Sequence, residues 1–219
     1  MDPVVDQAIC LRQWDYSETS QTAVLFGRNL GIVRVLGKGS KRNDPRFSGG
    51  LEVCTLGEAV VYPKESGLAV LGGWDLLKTY RGVRTSHASY CAAMLAIELP
   101  RLLLSEHEPH EPAWEGLAEA LGTMAAESWH VVLARWQWGL LIEAGYGPDL
   151  GPADWVGFSP GLGRFVDAAA AADAGRVWAV HPTTREALLD LAAGRAVDPL
   201  LAVRAGRLLA WYDLELTGG

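Results

Sequence analysis

Between residues 4 and 80 the apolar positions come in short runs broken by polar, Gly- or Pro-bearing links, a pattern of strands rather than helices. "VVDQAICLRQW" (4–14) is rich in apolar and β-branched residues. "SQTAVLFGRN" (20–29) follows the polar link "DYSE" and ends at the turn signal "RNLG". "GIVRVLGKG" (31–39) sets Ile32, Val33 and Val35 around Arg34. After a longer loop, "LEVCTLGEAVVYP" (51–63) resumes strand character and stops at Pro63, and "SGLAVLGGWDLL" (66–77) is reached through "KESG". Three strands, a longer loop and two strands predict a five-stranded OB-type barrel, although an SH3-like barrel satisfies the same periodicity.

After "RGVRTS" the period changes. A helix is expected from Thr85 or Ser86 to about Leu104, with Ser86 as N-cap and Pro100 kinking it or ending it early. "SEHEPHEP" is a polar break, and helical composition returns from about Pro112 to Glu127. Trp129, Val132, Leu133, Trp136 and Leu140 then fall at i, i+3, i+4, i+7 and i+11, an amphipathic stripe that ends at "AGYG" with Gly145 or Gly147 as the C′ residue. Residues 147–182 are rich in Gly, Pro and Asp and include a short β-like "RVWAVHP". Two further helices are expected, about Thr183–Ala193 with Thr183 and Glu186 at capping-box spacing, and about Pro199–Leu214 with Asp198 as N-cap. The fold class is therefore α+β: a barrel over 1–80 and an α-helical domain over 81–219.

Charge supports that division. The chain has 219 residues and net charge −7, yet residues 1–80 hold nine basic and nine acidic side chains, whereas 81–219 hold ten and seventeen. An acidic protein of this kind does not bind nucleic acid with its whole surface. A local patch still acts on its own, because charges are screened over roughly 8 Å at physiological salt. Such a patch exists: Arg28, Arg34, Lys38, Lys41, Arg42 and Arg46 cluster with Asp44 as the sole acid between them. Cations on a glycine-rich loop can each neutralise a phosphate; a solvated surface loop has the same composition.

Other motifs carry less. "LGKGSK" fails as a phosphate-binding loop, because Lys38 is followed by Gly39 and no helix pattern follows. "HEPH" holds His107 and His110 around a proline, with no cysteine or further histidine nearby to complete a metal site. "GFSPG" places Ser159 in a G-x-S-x-G frame, but no apolar strand leads in and no helix leads out. Pro160 also lacks the N–H that an oxyanion would need. No catalytic residue is assigned. Cys10, Cys54 and Cys91 lack metal-ligand spacing, and Cys91 reads as core of its helix; three scattered thiols suit a reducing compartment. "MDPVVDQAIC" lacks the basic start of a signal peptide, and no stretch nears the roughly 18 apolar residues of a membrane span. A cytoplasmic protein is expected.

In order along the chain, these pieces resemble the RecO family of bacterial DNA repair and recombination proteins. The resemblance rests on "AICLRQWDYSETSQTAVLFGRNLGIVRVLGKGSKR", "GGLEVCTLGEAVVY" and "LAVLGGWDLL", with Asp15, Tyr16, Glu18, Gly31, Val35, Lys38, Gly39 and Leu51 at the places of the family pattern. "LIEAGYGPDL" is similar to the helix end before the family's zinc segment, and "GFSPGLGRFV" to a stretch inside it. Many relatives carry four zinc-binding cysteines there, but residues 151–182 have none. No zinc or other cofactor is expected, and the segment at about 147–182 should fold by packing through Trp155, Phe158, Phe165 and Trp178. Val53 and Cys54 also stand where the family usually has Pro and Phe, and no basic tail follows "WYDLELTGG".

The resemblance implies a recombination mediator, not an enzyme. Such a protein binds single- and double-stranded DNA and anneals complementary strands. With RecR it helps load RecA on DNA coated by single-stranded-DNA-binding protein, so RecR and that protein are the implied partners and the nucleoid the implied place. The six cations above are the expected DNA contacts. The alternative is a protein-interaction adaptor whose barrel no longer binds DNA, which the net acidity and missing cysteines favour.

Overall fold

The computed structural model describes residues 2–48, 51–64 and 67–218. Gly49 and Gly50 at the exit of the basic loop, and Glu65 and Ser66 of the "KESG" link, lie outside the described residues. The chain forms two compact units, Met1–Ala125 and Ala126–Gly219.

In the first unit, β1 (Val4–Asp15), β2 (Gln21–Gly27), β3 (Gly31–Gly37), a two-residue β4 (Phe47–Ser48), β5 (Leu56–Tyr62) and β6 (Ala69–Lys78) form one sheet. The order β3-β2-β1-β5-β6 closes through a parallel β3–β6 pairing, Val35 opposite Ala69 and Gly37 opposite Leu71. Five long strands closed in this way make the OB-type barrel expected from three strands, a longer loop and two strands. The fourth long strand begins at Leu56, not Leu51, because residues 51–55 turn sharply, with Cys54 at φ 62°.

The barrel interior alternates small and large side chains. Ala8, Ala23, Ala59 and Ala69 leave room for Phe47, Trp74 and Leu71. Gly57 completes the fit, since a Cβ there would lie 2.5 Å from the Trp74 ring. β1 serves two partners, its first half pairing with β5 and its second with β2. Between Cys10 and Arg12 its register against β2 shifts by one residue. Ala8 and Cys10 point inward before this bulge; after it Arg12 and Trp14 are exposed. An unbroken alternation would have aimed both into the core.

A 3₁₀ turn, Arg81–Thr85, leads into α1 (His87–Leu103), capped by Ser86, whose side chain accepts from the Ser89 N–H. Pro100 does not end α1 early: the Leu104 N–H still bonds the Pro100 carbonyl. Cys91 corrects the expectation of a core thiol, being exposed with Sγ 3.5 Å from His87 Nε2. α2 (Glu111–Thr123) buries Trp114, Leu117 and Leu121, and Trp114 Nε1 donates to the Phe26 carbonyl at 3.0 Å.

In the second unit, α3 (Trp129–Glu143) buries Val132, Leu133, Trp136 and Leu140 of the expected stripe, and also Val131, Ala134, Gln137 and Leu141 on other sides. It ends in a Schellman turn, with Gly145 at φ 79° and the Tyr146 N–H on the Leu141 carbonyl. The cysteine-free segment folds around a hairpin, β7 (Gly157–Ser159) and β8 (Arg164–Val166), followed by the short α4 (Ala168–Asp173). Phe158 is its hub, with Phe165 at 5.2 Å, Trp178 at 5.8 Å and Tyr212 at 5.3 Å between ring centroids, while Trp155 meets Phe165 edge-on at 5.1 Å. The Arg185 guanidinium donates to the carbonyls of Leu150, Gly151 and Pro152 and clamps the preceding loop. "RVWAVHP" contributes a single bridge, Trp178 to Phe158. α5 (Pro182–Ala192) starts earlier than its capping-box spacing suggests, because the His181 ring rather than Thr183 accepts the first free N–H. α6 (Pro199–Thr217) is capped by Asp198 as expected and runs past Leu214.

Candidate nucleic-acid interface

The six sequence-predicted cations are spread along β3: Arg28 before its first end, Arg34 on the strand itself, and the other four beyond its second end. Its seven residues set those ends about 20 Å apart at the rise of a strand. Arg28 lies in the β2–β3 turn. Its guanidinium bonds Glu111 at 2.8 Å and Glu115 at 2.6 Å and lies 5.6 Å from the Trp114 ring centroid. Two carboxylates and an aromatic face hold it against α2, so its charge is already matched within the unit.

Lys38, Lys41, Arg42 and Arg46 lie together on the loop after β3. That loop is fastened at its base: the Gly39 N–H donates to Ser20 Oγ, Ser40 Oγ to Gln21 Oε1, and the Lys41 N–H to the Thr19 carbonyl. Lys41 Nζ also bonds Asp15 Oδ2 at 2.8 Å. Arg46 closes on Asp44 with bonds of 2.6 to 3.1 Å, and those bonds hold the Asp44 carboxyl down at about 2. Phe47 then enters the core beside Trp74. The described part of this glycine-rich loop is thus a set of hydrogen-bonded turns. Lys38 and Arg42 are exposed and have no ion pair among the described residues.

Arg34 sits on the outer face of β3, paired with Glu106 at 2.8 Å. Across the sheet it faces Val24, which faces Arg12; one step along, Trp14 faces Thr22. These side chains, with Leu68 and Arg101, line a cleft of about 340 Å³. The Arg12 guanidinium lies 5.4 Å from the ring centroid of Trp14, which is 47% exposed. Glu98 balances part of this charge through Arg12 and Arg101. Beyond β1, Tyr16 is 64% exposed, in the turn whose Thr19 carbonyl accepts from the Lys41 N–H of the basic loop.

Arg12 and Arg34 on the sheet, Arg101 on α1, and the exposed Trp14 and Tyr16 have a defined chemistry. Guanidinium groups neutralise phosphates, and indole or phenol faces stack on unpaired bases. The acids now paired with Arg34, Lys41 and Arg46 do not preclude this, because exposed ion pairs contribute only about 0–1 kcal/mol and a phosphate can displace them. Sequence reasoning missed Arg12, Trp14, Tyr16 and Arg101. The first three stood in "LRQWDY" at alternating positions, but only the bulge in β1 turns Arg12 and Trp14 outward. Ser159, by contrast, is fully buried, and its hydroxyl donates to the Ala174 carbonyl.

Comparison with known proteins bears on this arrangement. Residues 1–80 match the family model for the recombination protein O N terminal, and residues 84–190 match that for the recombination protein O C terminal. A DNA repair protein RecO from Anaeromyxobacter dehalogenans is 30% identical over 214 residues, covering 96% of this chain and 82% of the relative. The chain belongs to the RecO family. Other RecO proteins are similar over shorter spans. One from another Anaeromyxobacter strain is 33% identical over 71% of this chain and 65% of its own length. One from Cereibacter sphaeroides is 30% identical over 67% and 62%. The barrel described above coincides with the N-terminal match. Among the described residues no cluster of three His, Cys, Asp or Glu side chains stands where it could hold a metal ion, and no helix is long and apolar enough to cross a membrane.

Proposed function

We propose that this RecO-family protein acts in DNA repair by binding DNA on the outer face of its barrel, residues 1–80, without catalysing a reaction. The observation that carries the reading is the exposed Trp14 beside Arg12, in a cleft that Arg34 and Arg101 also line. Cations and aromatic faces that meet phosphates and bases without reading base edges give affinity with little sequence preference. Arg34, Lys41 and Arg46 add phosphate contacts once their acids are displaced, and Arg28 the least, being held by two. Screening two strands at once would let complementary bases pair, the physical basis of annealing. Family membership supports the further steps: work with RecR on DNA coated by single-stranded-DNA-binding protein, and loading of RecA, at the nucleoid. The helical part, 81–219, is then the protein-contact half.

A salt titration of single-stranded DNA binding tests the reading. Four to six phosphate contacts give a log–log slope of about −3 to −4. Lys38→Glu with Arg42→Glu should weaken binding to all sequences alike and flatten that slope, and Trp14→Ala should weaken binding about ten-fold with little change in slope. The adaptor reading is favoured by one observation: four of the six sequence-predicted cations already face carboxylates within the unit. No binding at low salt would establish it over DNA binding.

A further inference from the structure

Along α6, Arg204, Arg207 and Trp211 fall at i, i+3 and i+7, so they share one face of the helix. Facing them are Arg176, Trp178 and His181 from the segment before α5, and between the two rows lies an open cleft of about 510 Å³ with an apolar floor. A second cleft of about 470 Å³ adjoins it, sharing Arg176, Trp178 and Trp211 and reaching Leu214 and Glu215. Trp211 is 62% exposed, although Trp is a residue that folding usually covers. Of the three arginines, Arg176 lies 5.8 Å from the Trp178 ring centroid and 3.5 Å from Glu215, and Arg204 donates to Thr183 Oγ1 at 2.9 Å. Arg207 has no ion pair among the described residues. Three guanidinium groups therefore meet one carboxylate here, in a chain of net charge −7.

We propose that these paired clefts are a second binding site for single-stranded nucleic acid, in which bases stack on Trp211 and phosphates meet Arg176, Arg204 and Arg207. Stacking requires an unpaired base, which excludes a duplex. Two adjoining open clefts that share Trp178 and Trp211 suit the repeat of a strand, base after base. α6 lies beyond the residues that the family models match. The inference rests on the reading that the protein binds DNA, and it adds a site in the unit that composition marks as acidic.

The test uses the full chain and a fluorescently labelled thymidine oligonucleotide. Trp211→Ala should weaken binding about ten-fold at unchanged salt slope, while Trp211→Phe, which keeps a stacking face, should retain most of it. Arg204→Glu with Arg207→Glu should reduce the magnitude of the log–log slope by about 1.4, two phosphates' worth for a single strand. A bromodeoxyuridine-substituted oligonucleotide should crosslink to α6 under ultraviolet light. Binding that these variants leave unchanged, but that Lys38→Glu with Arg42→Glu abolishes, overturns this inference and spares the barrel reading. So do crosslinks confined to residues 1–80, or variants that lose an acidic peptide but keep the oligonucleotide. If the wild-type chain fails to bind at low salt, both readings fall together.

Discussion

Asp213 and Gln137 are buried against one another where α6 meets α3, 4% and 0% exposed. The Gln137 amide donates to Asp213 Oδ2 at 2.9 Å, but Gln137 Oε1 and Asp213 Oδ1 have no hydrogen-bond partner among the described residues. A proton on the carboxyl supplies the donor this pair lacks. Burial pushes the Asp213 carboxyl up from 3.8 to about 7, against a smaller downward pull from Gln137. Between about pH 4 and 7 the folded state thus holds a proton that the unfolded chain releases. The stability this proton brings is complete below about pH 4, falls as pH rises, and is gone above about 7. Asp213→Asn should flatten the dependence in that window and raise stability at pH 8 by on the order of 1–3 kcal/mol, measured by urea unfolding. The thiols differ in the same way. Burial pushes Cys10 and Cys54 upward, Cys54 to about 11, whereas Cys91 is exposed. Iodoacetamide on the folded protein should label Cys91 alone, as read by peptide mass; the other two should react only on unfolding.

At the scale of elements, single groups decide how strands and helices start, turn and stop. The β2–β3 turn hangs on Asp6, 5% exposed, whose carboxylate accepts from the Asn29 and Leu30 N–H groups and from the Asn29 amide, all at 2.8 to 2.9 Å. Asp6→Ala leaves three donors short of an acceptor and should cost about 2–4 kcal/mol of unfolding free energy, read as a lower denaturant midpoint at unchanged m-value. Gly31 follows at φ 65°, where a Cβ would strike the Glu108 carbonyl, so the strand can start only with glycine. The caps at Ser86, Asp198 and Gly145 were legible because they depend on a few adjacent residues. The α5 cap was misread because a histidine ring, outside the usual Ser/Thr/Asp/Asn set, took the role. Pro100 does not end α1 early, as one of the two expectations had it, because a proline in the last turn of a helix removes few of its hydrogen bonds.

For the molecule as a whole, the strand order, the helices and the basic loop were legible in local pattern. Period two and period 3.6 are imposed by backbone geometry on any sequence that buries one face. The packing of Trp155, Phe158, Phe165 and Trp178 was legible as well, because a segment without cysteines has only its apolar groups to hold it. The candidate site was half legible. Net charge by residue pointed to the loop but could not count the carboxylates opposite, and Glu106, Glu111 and Glu115 reach Arg34 and Arg28 from more than 70 positions away. Nor could it reveal that a one-residue bulge turns Arg12 and Trp14 outward, or that Arg176 and Trp178 meet Arg204, Arg207 and Trp211. The pattern of residues therefore settled the class of fold and where positive charge concentrates along the chain. Which cations remain uncommitted, and which aromatics stand exposed beside them, followed from three-dimensional packing alone, because charge and stacking act across space between residues that the chain keeps far apart.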